Sequence, residues 1–311
     1  MKSRLKTGVV GAGVFGAFHA AKHAASERAE LVGLYDIDAG RARELADRVG
    51  VTPFADYPSL LKSVDAIVIA SPAPTHFRFA KAALEAGLHV YVEKPLAMSV
   101  AEADALIAIA ERKSLILQVG HQERFVLSAI GLPLIEVAPK KLEFSRCGPP
   151  SGRGEDVSVV FDLMIHDLDI ARFFGFADPK NVSACGDRHE TIATLEFDHG
   201  RSCSFIASRR AEERRRHLRI EYEQGRIEID FMARRVTDAT PRPGSVAIAN
   251  TAAAFADPLA ESVEAFFASV LDGARTMVDG KAGRAAIDWA TAIDLKRNSL
   301  IAAEQADRMI A

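Results

Sequence analysis

Short apolar runs alternate with longer amphipathic stretches through the first third of the chain. Thr7 to Val10, Glu30 to Asp36, Asp65 to Ala70, His89 to Val92 and Leu115 to Val119 are strand-length runs, several of them almost wholly apolar. Such runs suit strands buried on both faces, as parallel strands are beneath layers of helices. Between them, residues 38–49, 75–86 and 99–113 are rich in Ala, Glu, Arg and Leu and carry helical periodicity. Residues 53–61 hold a short loop and a helical turn. Gly87 reads as the C-cap of the 75–86 helix, and Ser99 with Glu102 as a capping box. The alternation predicts a doubly wound parallel sheet over residues 1–120.

Residues 121–311 have another rhythm. Short strands are expected at 140–146, 182–186, 191–197 and 202–209, with a hairpin of 218–223 and 226–231 across Gln224-Gly225. Helices are expected at 258–271 and 284–305. This is an α+β domain with a large, mainly antiparallel sheet, a surface through which a homodimer or homotetramer could form. Residues 148–157, with Gly148, Pro149, Pro150, Ser151, Gly152 and Gly154, read as a mobile loop.

Composition narrows the class. The 311 residues are 49% hydrophobic and 26% charged, with a net charge of −3, which is ordinary globular usage and argues against a general nucleic-acid binder. The size favours two domains. No apolar run approaches a membrane span. Lys2, Arg4 and Lys6 before an apolar stretch imitate a signal peptide, but that stretch is the first strand, so a cytoplasmic protein is expected. Cys147, Cys185 and Cys203 show no Cys-x-x-Cys spacing and read as free thiols, with no disulfide or zinc framework.

Chemistry enters with Gly11-Ala12-Gly13-Val14-Phe15-Gly16, placed after the first strand and opening a helix. Gly11 suits a tight turn, Gly13 a close approach of a pyrophosphate, and Gly16 close packing of helix on strand. The helix start offers free N–H groups to phosphates. Asp36, about twenty residues past Gly16 at the end of the next strand, is placed to accept from an adenosine ribose. A carboxylate there repels a 2′-phosphate, so NAD is favoured over NADP. The expected first domain is therefore a Rossmann domain, and its ligands belong beyond the carboxyl ends of the strands, where Gly11, Asp36, Ser71, Lys94 and Gly120 lie. Lys94, in Glu93-Lys94-Pro95, ends an apolar strand, where an ammonium is either solvated or used.

The second cluster is Asp162-Leu163-Met164-Ile165-His166-Asp167-Leu168-Asp169. On a helix, Asp162, His166 and Asp169 share a face and Asp167 points elsewhere, toward solvent. A carboxylate beside the imidazole would orient it and raise its basicity. The segment reads equally as a solvated polar helix face. Two ligands at this spacing do not make a metal site, and none is expected.

These elements together resemble the glucose–fructose oxidoreductase/inositol dehydrogenase (Gfo/Idh/MocA) family over essentially the whole chain. The motifs that carry it are the glycine loop, Asp36, Ser71-Pro72 with Thr75-His76, Glu93-Lys94-Pro95, Arg124-Phe125 and Asp162-x-x-x-His166-x-x-Asp169. The resemblance implies an NAD-dependent sugar or polyol oxidoreductase in which Lys94, His166 and Asp162 are catalytic. Gly11, Gly13, Val14, Phe15, Gly16, Asp36, Ser71, Pro72, His76, Glu93 and Lys94 would hold the cofactor. Lys94, Arg124, Arg153, Asp162, His166 and Arg209 would hold the substrate. One departure is visible: many members have Gly-Gly shortly before the aspartate, where this chain has Val157 to Phe161.

The stretch from Gly152 to Val157 leading into Asp162 is similar to the branch that oxidises the 3-hydroxyl of UDP-N-acetylglucosamine, ahead of the transamination that makes an amino sugar of lipid A. Arginine forks suit diphosphates. Of the arginines crowding the second domain, Arg153 and Arg209 are the expected substrate ligands, while Arg214, Arg215 and Arg216 read as an ordinary basic surface on an edge strand. Alternatives are a dehydrogenase of a free sugar or polyol, a redox-assisted elimination or hydrolysis, and a non-catalytic NAD-binding sensor.

Overall fold

A computed structural model describes residues 4–132, 137–150, 152, 154–241 and 255–310. The chain divides into two compact units, residues 1–122 with 259–284 and residues 123–258 with 285–311.

In the first unit, β1 (Leu5–Val10), α1 (Val14–Ala25), β2 (Ala29–Tyr35), α2 (Ala39–Val49), β3 (Thr52–Pro53), α3 (Tyr57–Leu61), β4 (Ala66–Ile69), α4 (His76–Glu85), β5 (His89–Val92), α5 (Val100–Lys113) and β6 (Leu117–Val119) follow one another. The strands form one parallel sheet in the order β3-β2-β1-β4-β5-β6. The chain reverses direction across the sheet at β1 and β4, which is where a doubly wound sheet opens a crevice. The near-absence of polar residues in β4 follows from its burial: all four residues are sealed between neighbouring strands and helices. Local capping fits the sequence. Asp38 accepts from the amides of Gly40 and Arg41 to start α2, and Ser99 accepts from the amide of Glu102 to start α5.

The Pro258–Asp272 helix corrects the expected division at 120/121. Leu259, Val263, Phe266 and Phe267 are buried in the same core as Val9, Leu34, Val68 and Tyr91. Tyr91 Oη meets Ser262 Oγ at 2.9 Å, and Gln118 Nε2 donates to the Ser262 carbonyl at 2.8 Å. A large apolar side chain gains about 1.5–3 kcal/mol on burial, so this amphipathic helix is held by the core it covers, whatever its place in the sequence.

The second unit opens with α6 (Glu123–Ala129) and continues with β7 (Lys141–Cys147), α7 (Ile165–Phe173), β8 (Asn181–Gly186), β9 (Glu190–Glu196), β10 (Ser202–Ser208), β11 (Arg215–Glu221), β12 (Arg226–Asp230) and β13 (Arg235–Asp238). The sheet order is β13-β12-β11-β7-β10-β9-β8. All of its neighbours are antiparallel except β7 and β10. One face is apolar: Leu142 and Phe144, Phe205 and Ala207, Leu218 and Ile220 are buried, and the rings of Phe144 and Phe205 stack at 5.0 Å. The other face carries Lys141, Glu143, Arg219 and Glu228, joined by ion pairs. Strand β11 lies between β12 and β7, which overturns its reading as an edge strand. Its Leu218 and Ile220 pack on both neighbours' apolar rows, so it cannot lie at the rim.

A single turn of π-helix, Val160–Met164, precedes α7. Turns of this kind put an extra residue into a helix and redirect its side chains. The described end of the loop expected to be mobile is anchored, since Arg209 donates to the carbonyls of Gly154 and Val157.

Candidate functional site

The glycine loop has the geometry a dinucleotide requires. Gly11 sits at φ +99°, and a Cβ on it would lie 2.6 Å from the Ala70 carbonyl oxygen. A Cβ on Gly16 would fall 1.8 Å from the Gly11 oxygen. At Gly13 the same position faces open space, with nothing within 4 Å. Gly11 and Gly16 therefore close the turn and pack the helix, and Gly13 leaves room for a ligand. Gly13 caps α1 without a side-chain hydrogen bond, so the first amides of the helix are available to phosphate oxygens. Val14 and Phe15 are exposed beside it.

Asp36 accepts from the Ala12 amide at 2.6 Å through one oxygen and from the Asp38 amide at 2.8 Å through the other. Each oxygen keeps a lone pair for a ribose hydroxyl. The open Gly13 position and the placed carboxylate fit NAD.

At the next strand ends, Ser71 Oγ bonds Thr75 Oγ1 at 2.7 Å and Pro72 is exposed. His76 is buried, with its ring nitrogens 2.7 Å from the carbonyls of Ser71 and Pro95. It thus ties the β4 end to the Lys94-Pro95 turn. Glu93 is also buried, its carboxylate bonded by His19 Nε2 at 2.7 Å and Gln122 Nε2 at 3.3 Å. Lys94, one residue further, is half-buried and precedes a cis Pro95.

In the second unit, His166 opens α7 with Nδ1 2.8 Å from Glu123 Oε2. Glu123 turns its other oxygen to Arg146 Nη1 at 2.9 Å, and Arg146 grips Asp167 through Nε and Nη2. Burial pushes the Glu123 carboxyl up, but the His166 imidazole and the Arg146 guanidinium outweigh it and hold it well below the carboxylate range. An ionised Glu123 accepts a hydrogen bond from Nδ1–H and leaves Nε2 as the basic nitrogen.

Asp167 does not meet solvent as expected. It is 4% exposed and ion-paired at 2.7 Å. The π turn and the inward Arg146 decide this, because an arginine at the end of a buried row needs an acid beneath it. Glu123 was missed for a related reason. Its only signal was its place beside the Arg124-Phe125 motif, just past a sheet strand.

Asp162 lies within the π turn, and Arg209 Nη2 holds its Oδ2 at 3.0 Å. Gly154, at φ +69°, packs directly on that carboxylate: a Cβ there would come 2.5 Å from Oδ2. Arg209 is thus turned inward. Arg124 is as well: it bonds Asp169 through Nε and Nη2 at 2.7 and 2.6 Å, and lies over the Phe173 ring. Arg153 lies outside the described residues. Among the described residues no group of three or more His, Cys, Asp or Glu is placed to hold a metal ion, and no helix is long and apolar enough to cross a membrane.

Comparison with known proteins agrees with this geometry. Residues 5–121 match the oxidoreductase family with an NAD-binding Rossmann fold, and residues 144–228 match the GFO/IDH/MocA C-terminal domain. A UDP-N-acetylglucosamine 3-dehydrogenase of Acidithiobacillus ferrooxidans is 34% identical over 90% of this chain and 93% of its own length. The solved structure of that organism's enzyme superposes with a TM-score of 0.84 at 31% identity, covering 96% of this chain and 99% of the other. A myo-inositol 2-dehydrogenase of Thermotoga maritima is 26% identical over 91% of this chain and 93% of its own. The chain belongs to the Gfo/Idh/MocA family of NAD-binding oxidoreductases.

Proposed function

We propose that this enzyme oxidises the 3-hydroxyl of UDP-N-acetylglucosamine. The observation that carries the reading is the fixed imidazole of His166: with Nδ1 on Glu123, its Nε2 is presented as a base. The relative at 34% identity over nearly the whole chain supports the substrate.

NAD, held by the glycine loop and Asp36, supplies the hydride acceptor. His166 takes the hydroxyl proton at Nε2. The Lys94 ammonium stabilises the developing alkoxide and relays the proton. Asp162, its carboxylate fixed by Arg209, orients the sugar. Arg124 and Arg209 serve the substrate indirectly, through Asp169 and Asp162.

The 3-keto product is what a transaminase needs to make a 3-amino sugar of lipid A, a step proper to the cytoplasm, where NAD is supplied. A homo-oligomer formed on the open sheet face is supported by Ile192 and Ile206, paired in register and both more than 40% exposed.

Steady-state NADH formation tests the reading. UDP-N-acetylglucosamine should turn over far better than free N-acetylglucosamine or myo-inositol. Equal or better turnover of either free compound would leave a sugar or polyol dehydrogenase in its place.

A further inference from the structure

Three neighbouring strands end in arginines on the same face of the second sheet. Ala207, Arg146 and Arg216 stand opposite one another across β10, β7 and β11. Each continues a buried row: Cys203, Phe205 and Ala207 lead to Arg209, Leu142 and Phe144 to Arg146, and Ile220 and Leu218 to Arg216. All three guanidiniums therefore leave the sheet on its helix-covered face, at the end where His166 lies.

Two of the three are internally occupied. Arg146 is 4% exposed and held by Asp167 and Glu123, and Arg209 is 6% exposed and held by Asp162 and two carbonyls. Arg216 differs on both counts. It is exposed, and among the described residues its side chain makes no hydrogen bond or ion pair within bonding distance. Partial desolvation and then repulsion from Arg146 pull its pKa down, while Glu123 and Asp167 act on it only across space. A guanidinium with no bonded partner in the protein keeps its fork of donors for an incoming group, and that fork matches phosphate oxygens. It shares Glu123 as a neighbour with the imidazole of His166.

We propose that Arg216 is the guanidinium that grips the substrate's phosphate, with Arg146 and Arg209 as internal supports of the same row. The proposal rests on the nucleotide-sugar reading above, and it reverses the sequence expectation for this residue. The fold reserves the outward role for Arg216 because its two neighbours meet acids on the π turn, α6 and α7.

The test is calorimetric binding of UDP and of uridine to the NAD-loaded protein. UDP should bind more tightly than uridine. Arg216→Ala should weaken UDP about ten- to a hundredfold and leave uridine and NAD unchanged. Arg216→Lys should recover part of the loss, since it keeps the charge but not the fork. Arg210→Ala, whose arginine pairs with Asp187 at the surface, should change nothing. The thermal midpoint of Arg216→Ala should not fall, because the side chain makes no bond within the protein. Three results would overturn the assignment: equal binding of UDP and uridine, unchanged UDP affinity in Arg216→Ala, or a midpoint several degrees lower in that variant. If UDP-N-acetylglucosamine turns over but Arg216→Ala leaves its KM unchanged, the substrate reading stands and this assignment fails. If Arg216→Ala weakens UDP but only a free polyol turns over, the phosphate grip stands and the substrate reading fails.

Discussion

Glu123 Oε2 and His166 Nδ1 stand 2.8 Å apart, and Arg146 Nη1 lies 2.9 Å from the second oxygen of the same carboxylate. The glutamate is thus shared between a fixed cation and an imidazole. It stays ionised, and it would stabilise an imidazolium at His166.

Glu123→Gln removes the charge and keeps the shape. Turnover should fall about ten- to a hundredfold, with NAD affinity intact. The ascending limb of the pH–rate profile should move to lower pH, because an imidazole without its carboxylate is a weaker base. A second consequence follows from linkage. The folded-state pKa of Glu123 lies below its ordinary value of 4.5, so its contribution is present above about pH 4.5 and lost as pH falls through the folded value. Thermal midpoints measured from pH 7 down to pH 3.5 should therefore fall less steeply in Glu123→Gln than in the unmodified protein.

Asp167→Asn tests the buried ion pair. The carboxylate that neutralises Arg146 disappears while Glu123 remains, so the loss should be about 2–3 kcal/mol, toward the lower end for an uncompensated buried charge. Chemical denaturation would read it. A change under about 0.5 kcal/mol would return Asp167 to a solvated role.

Gly154→Ala should damage both fold and chemistry. Its φ of +69° strains an L-residue, and the new methyl would strike the Asp162 carboxylate. The cost should be about 1–2 kcal/mol. Turnover should fall further than stability explains, because Arg209 loses its hold on Asp162. Gly152→Ala, also at positive φ but with open space at its Cβ, separates backbone strain from the collision.

Asp36→Ala should narrow the preference for NAD over NADP by about tenfold or more, the worth of one charged hydrogen bond. Titration of each dinucleotide by intrinsic fluorescence quenching checks it. Tighter NADP binding by the unmodified protein would contradict the carboxylate's role.

The nucleotide-binding half was legible because its signals are local. Gly11, Gly13 and Gly16 report one turn, Asp36 one strand end, and Ser99 with Glu102 one helix start. Each is a demand that a few consecutive residues must meet together. The antiparallel hairpin at Gln224-Gly225 was legible for the same reason, and Gly225 sits at φ +91°. Lys94 could be placed past a strand, since an apolar run and a proline bound it on either side.

What the tertiary structure alone decided are the partners. Helical spacing put Asp162 and His166 on one face, but the π turn gave Asp162 to Arg209 and His166 to Glu123, pairs separated by 47 and 43 residues. Arg146 met Asp167 across 21 residues. Arg216 looks like its neighbours in sequence and differs from Arg146 and Arg209 in being exposed and in having no acid within bonding distance of its side chain. Sequence periodicity fixes the side of an element on which a charge emerges. Which opposite charge meets it there depends on how distant elements pack, and burial makes that match obligatory only once the fold has formed.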